Sequence, residues 1–175
     1  MENSIEGQNA PEDPAIAARN LKEFTDDIRA RQNLSMGILA GLGAAIVGAL
    51  LWALITSAVK YQIGYMAIGV GFMVGLSVRF GGKGMDPIYG VVGAILALLG
   101  CILGNYMALV FIVADTVDTS GFSLLFQMPP SLVLEGMMET ASPMDVLFYG
   151  IAIYEGYRFS FRQISEEEIK AAMYR

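Results

Sequence analysis

Glu155 is the residue whose type and setting most suggest chemistry. It stands in the run Asp145-Val-Leu-Phe-Tyr-Gly-Ile-Ala-Ile-Tyr-Glu-Gly-Tyr-Arg158. An ionisable group within an apolar helix is costly, so it faces protein or water and has a partner or a task. Two readings follow. Glu155 pairs structurally with Arg158, one turn on, or with Arg79 from another segment; alternatively, it sits on a proton or ion path. Asn105, in a third apolar segment, can hydrogen-bond between helices, a contact worth about 0.6 kcal/mol in membranes.

Gly81-Gly-Lys-Gly84 has the look of a phosphate loop but fails its requirements. No Ser or Thr follows Lys83 and no strand precedes the glycines, so nucleotide binding is rejected. Arg79 and Lys83 flank a glycine turn that either contacts an anionic lipid headgroup or simply marks a cytoplasmic loop. The chain has no histidine, the commonest ligand of protein-bound metals, and one cysteine, Cys101, inside an apolar run. No nucleophile–base pair is visible. These observations argue against an enzyme and against any cofactor or metal. The net charge of −6 argues against nucleic-acid partners.

The elements holding these residues are long apolar runs. Residues 34–59 and 87–114 carry no charge before Lys60 and Asp115, and each exceeds the roughly 20 residues needed to cross hydrocarbon. Residues 62–78 are near the lower limit, and 143–161 are interrupted by Asp145, Glu155 and Arg158. Small residues form stripes at helical spacing: Gly37, Gly41, Ala44 and Gly48; Gly64, Ala67, Gly71 and Gly75; Gly90, Gly93, Ala97, Gly100, Gly104 and Ala108. In lipid, such stripes let backbones approach closely, so Gly37, Gly41, Gly71, Gly75, Gly93, Gly100 and Gly104 are predicted packing positions. The apolar runs divide the chain into five polar pieces, and of the eleven Lys and Arg residues only Lys60 falls in the second or fourth. By the excess of cations in cytoplasmic loops, both ends are predicted to lie inside.

Residues 1–33 read as an acidic, disordered tail followed by an amphipathic helix. Asp13 is its N-cap, Pro14 its first residue, and Ala17, Leu21, Phe24 and Ile28 share one face. That face suits either the membrane surface or docking on protein. Residues 60–62 form a tight turn. The outer piece 115–142 lacks Lys and Arg, yet its apolar segments on either side of Pro129-Pro130 predict two short interfacial helices. Residues 162–175 form a cytoplasmic tail with a capping box at Ser165 and Glu168.

The stretch GYMAIGVGFMVGLSVRFGGKGMDPIYGVVGAILALLGCILGN (64–105) and the segment SPMDVLFYGIAIYEGYRFSF (142–161) resemble small uncharacterised bacterial multispan integral-membrane proteins. The resemblance covers about a third of the chain and implies a bacterial inner-membrane protein, with no site residues to carry over. The combined expectation is an all-α membrane four-helix bundle with glycine-striped helices. Its function would be that of an accessory or scaffolding subunit, contacting membrane lipids and either a partner membrane protein or further copies as a homo-oligomer. A small oligomeric channel or transporter with Glu155 in the path is the alternative.

Overall fold

The structure, a computed structural model, describes residues 13–61 and 64–174. Eight helices account for nearly all of them: α1 (Pro14–Ala30), α2 (Leu34–Val59), α3 (Met66–Gly82), α4 (Pro87–Thr116), α5 (Gly121–Gln127), α6 (Pro130–Thr140), α7 (Pro143–Phe159) and α8 (Glu166–Met173). The acidic tail up to residue 12 and the turn residues 62–63 lie outside the described residues.

The expected simple four-helix membrane bundle is corrected by this architecture. The described residues fold as an all-α, eight-helix unit with extensive packing between helices. Among the described residues, only α2 and α4 are long and apolar enough to cross a membrane by length and composition. The discrepancy has a physical origin. Hydropathy registers long apolar runs and so sets four helices apart, whereas the short amphipathic helices belong to the same unit and gain stability from packing. Thus α5 and α6 lie against α4, and α1 packs on α8.

Helix ends follow local chemistry. The Asp13 carboxylate accepts from the Ala15 N–H at 2.8 Å, with Pro14 in the first turn. Asn33 caps α2 by accepting from the Met36 N–H at 3.0 Å. Capping boxes open α7 (Ser142 with Asp145) and α8 (Ser165 with Glu168), each satisfying two backbone donors that a helix start leaves free. Pro129 and Pro130 separate α5 from α6. Lys60, Lys83 and Asp118 end or follow helices in the left-handed region, with φ of 57°, 50° and 52°.

Contacts across the glycines give the helix directions. Gly41 faces Leu96, Gly100 faces Ala45 and Gly104 faces Trp52, so α2 and α4 run parallel. Gly37 meets Gly82 at the opposite end of α3, which runs back between them. Gly64 lies beside Phe148, Gly71 beside Ala152 and Gly75 beside Phe159, so α7 is parallel to α3 and antiparallel to α4. The core between α2, α3, α4 and α7 is built from Trp52, Val70, Val74, Val78, Leu96, Ala97, Cys101 and Ala152. One end of this core gathers the start of α2, the α3–α4 turn and the end of α7. There the Asn33 N–H donates to the Gly82 carbonyl at 2.9 Å, and the Arg162 N–H donates to the Gly84 carbonyl at 2.7 Å. At the far end, Lys60 reaches Asp115 at 2.7 Å, and the Ser57 hydroxyl donates to the same carboxylate at 2.8 Å.

Candidate functional site

The seven glycines named above occupy helix contacts, but not equivalent ones. A Cβ on Gly71 would meet backbone atoms of Ala152, the nearest being its carbonyl oxygen at 2.5 Å. On Gly75 it would meet Phe159 Cβ at 3.0 Å and the Glu155 carbonyl at 3.1 Å, and on Gly37 the Gly82 Cα at 3.2 Å. Gly93 is pressed against Gly156 and Ser160. Gly41 meets only the side-chain ends of Leu96 and Val78; Gly100 meets Val70 and Ala45, and Gly104 the Trp52 ring. A second stripe, Ala152, Gly156 and Ser160, completes the α7 side and is fully buried. Its spacing of four was present in the sequence but was masked there by the charges and aromatics of the same segment.

Asn105, 7 % exposed, makes a side-chain hydrogen bond with Tyr149, tying α4 to α7. Cys101 is wholly buried, its thiol directed at the Ala67 carbonyl at 3.7 Å.

The polar candidates separate into two places at the same end of the molecule. Arg79, Glu155 and Arg158 line one pocket of about 290 Å³ between the ends of α3 and α7, together with Tyr154, Phe159 and Gln163. Among the described residues, no ion pair joins Glu155 to either arginine. Arg158 instead donates to the Tyr154 hydroxyl at 2.7 Å and lies over its ring. One oxygen of Glu155, Oε2, is buried without a hydrogen-bond partner. A buried carboxylate oxygen left without a donor calls for an explanation, since nearly all such groups are satisfied.

Lys83 belongs elsewhere. It lines a larger pocket of about 510 Å³ with Phe24, Asp27, Ile28, Arg31 and Arg162, beneath α1. Arg79 and Lys83 therefore do not share one contact, although four residues separate them. The left-handed conformation of Lys83 ends α3 and turns the chain, so the two cations leave in different directions. Arg162 also pairs with Glu168 of α8. The Ser165 backbone N–H donates to Glu168 and, with Arg162, holds its carboxyl below the usual range. Tyr154 and Gln163 were not singled out from sequence; the available signal was an aromatic hydroxyl within one turn of Glu155 and Arg158, whereas Gln163 lies beyond the end of α7.

Among the described residues, no group of three or more His, Cys, Asp or Glu could hold a metal ion. No family model, curated protein or solved structure matches the chain, so the resemblance over 64–105 and 142–161 gains no support from these comparisons.

Proposed function

We propose that this chain is a non-catalytic integral membrane protein that acts as an accessory or scaffolding subunit. The observation that carries the reading is the outward face of α2. Leu39, Ile46, Val47, Leu51 and Leu54 all point away from the core. Only 33 % of the most apolar stretch of α2 is buried within the protein, against 56 % for α4. A continuous apolar face of this kind on a water-soluble monomer would aggregate, whereas hydrocarbon or another membrane helix would cover it at no cost. In this reading α2 and α4 cross the membrane in the same direction, and α3 and α7 return the chain to the end from which α2 starts. The assignment to a bacterial inner membrane rests on the resemblance, and the placement of both ends in the cytoplasm rests on the distribution of Lys and Arg.

The scaffolding part is supported by glycines that the fold does not use. A Cβ on Gly43, Gly69 or Gly150 would meet nothing within 4 Å. On an apolar surface such positions let a second membrane helix approach closely. The occupant would be a partner membrane protein or another copy of this chain.

The test is purification from native membranes into nanodiscs, followed by mass measurement. A stoichiometric companion, or a closed homo-oligomer, is the expected result. A chain washed from membranes by alkaline carbonate would refute the membrane reading. A solitary monomer in the disc would refute the scaffolding role. Cysteines introduced at Ser120 and Ser165 test the orientation, because the buried native thiol is shielded from reagent. Labelling from outside is expected at position 120 alone.

A further inference from the structure

The pocket between the ends of α3 and α7 holds an arrangement of charge that the fold leaves incomplete. Glu155 lines it with one oxygen, Oε2, buried and unpartnered, and Arg79 and Arg158 line the same pocket without pairing to Glu155. A simple anion fits poorly, because the carboxylate would repel it. A simple cation fits poorly because of the two guanidiniums. What satisfies all three is a small molecule with an anionic and a cationic group set side by side.

The details narrow this further. Guanidinium forks match the geometry of a phosphate, to which they donate in pairs. The Glu155 carboxylate only accepts hydrogen bonds, so the cationic group that suits it carries N–H bonds. A primary ammonium does, whereas a trimethylammonium does not. About 290 Å³ lies at the small end of ligand pockets, suited to a headgroup. We propose that the pocket lined by Arg79, Glu155 and Arg158 binds a phosphoethanolamine group, its phosphate on the two arginines and its ammonium on Glu155.

The source is a membrane lipid, a choice that rests on the membrane reading above. Arg79 is in the last turn of α3 and Arg158 in the last turn of α7, at the end carrying most of the cations. Phe80, next to Arg79, is 70 % exposed, as befits a side chain at the boundary between headgroup and hydrocarbon. Lys83 takes no part, since it faces the other pocket.

The experiment places the chain in nanodiscs containing an equal mixture of phosphatidylethanolamine, phosphatidylcholine and phosphatidylglycerol, and reads retained lipid by native mass spectrometry. Phosphatidylethanolamine should be retained over the other two by about tenfold, the scale of one charge-assisted hydrogen bond. Glu155→Gln should abolish the preference over phosphatidylcholine, while Arg79→Gln should weaken retention of all three. Far-UV helicity and Trp52 fluorescence show whether each variant is folded. If Glu155→Gln does not fold, the wild-type preference and Arg79→Gln still decide. Equal retention of the three lipids by the wild type, or an unchanged preference in folded Glu155→Gln, overturns the proposal. Soluble glycerophosphoethanolamine, titrated by calorimetry into discs of phosphatidylcholine alone, separates the sources. Binding as tight as that of the lipid overturns the lipid source, and weak binding supports it. A chain that stays out of the discs refutes the membrane reading instead, and the soluble headgroup then tests the pocket directly.

Discussion

Replacing Gly71 and Gly43 by alanine, one at a time, should give sharply different results although both glycines lie in apolar helices. At Gly71 the new Cβ would stand 2.5 Å from the Ala152 carbonyl oxygen and 2.7 Å from its Cα. These are backbone atoms, so no change of rotamer relieves the clash, and α3 and α7 must move apart. Overpacking of this kind costs about 1–3 kcal/mol. Separation would also loosen the adjacent contact of Gly75 with Glu155 and Phe159. At Gly43 nothing lies within 4 Å, so the added methyl clashes with nothing. The usual helix-propensity gain of alanine is reduced in lipid or detergent, where the backbone stays hydrogen-bonded after the helices separate. The net change at Gly43 is therefore within about 0.5 kcal/mol, as at ordinary surface sites. Gly41→Ala should fall between the two, because its clashes at 2.6 Å are with the side-chain ends of Leu96 and Val78. The assay is denaturing-detergent titration of purified protein, followed by the fluorescence of Trp52, the only tryptophan and 1 % exposed. Equal stability of Gly71→Ala and Gly43→Ala would refute the α3–α7 contact and the pocket at its end.

Gly156→Ala should destabilise the chain on the same 1–3 kcal/mol scale, because its Cβ would meet the Gly93 carbonyl at 2.7 Å; the same titration measures it. Asn105→Leu should cost about 0.6 kcal/mol, the mean for polar contacts between membrane helices, and Tyr149→Phe in that background should add little if the two side chains form one bond. The dependence of α8 on pH should follow Glu168, whose carboxyl is held below its ordinary value by the Ser165 N–H and by Arg162. Its folded-state pKa is depressed, so the stabilisation is present above the unfolded value, near 4.3, and is lost as pH falls through the folded one. Hydrogen exchange in 166–173 should quicken over that acidic range in the wild type and lose this step in Glu168→Gln; an unchanged step would assign it to another group.

The sequence made helix starts legible because capping is local chemistry. Asp13-Pro14 and Ser165 with Glu168 could be read directly, and both caps are made. Helix ends were less legible. Lys60, Lys83 and Asp118 adopt a left-handed conformation that the sequence signals only when glycine occupies it. The glycine-rich turn at 81–84 illustrates the same limit. Gly81 and Gly82 belong to α3, and Gly84 lies under the Tyr89 ring, so these glycines permit close approach rather than flexibility. The short amphipathic helices were legible as pieces, but hydropathy set the four long helices apart as a bundle of their own and did not show that all eight described helices form one packed unit. The outer segments around Pro129-Pro130 were visible as separate pieces, but their packing on α4 was not, since it depends on side-chain pairs such as Phe122 against Phe111 that no apolar period specifies.

The two ends of the core differ in a way that bears on where function resides. The far end is closed by Lys60 and Asp115, a surface ion pair reinforced by Ser57, with its charges satisfied by one another. The near end is joined by backbone hydrogen bonds, Asn33 to Gly82 and Arg162 to Gly84, and by the ion pairs Arg29–Asp86 and Arg162–Glu168. Beyond these pairs, other cations at this end are in no ion pair among the described residues: Arg79 and Arg158 beside Glu155 in one pocket, Arg31 and Lys83 in the other. A fold needing charge only for cohesion would have paired Glu155 with an arginine, as it pairs Lys60 with Asp115. A membrane-facing end that must meet phosphate groups gains from the opposite arrangement, because arginines committed to internal carboxylates donate less well to a lipid. Introducing an internal competitor tests this. Gln163→Glu, at the rim of the α3–α7 pocket, should pair with Arg79 or Arg158 and reduce lipid retention while leaving unfolding in denaturing detergent unchanged or slightly more resistant. Retention unaffected by the added carboxylate would show that the free cations at this end serve orientation alone.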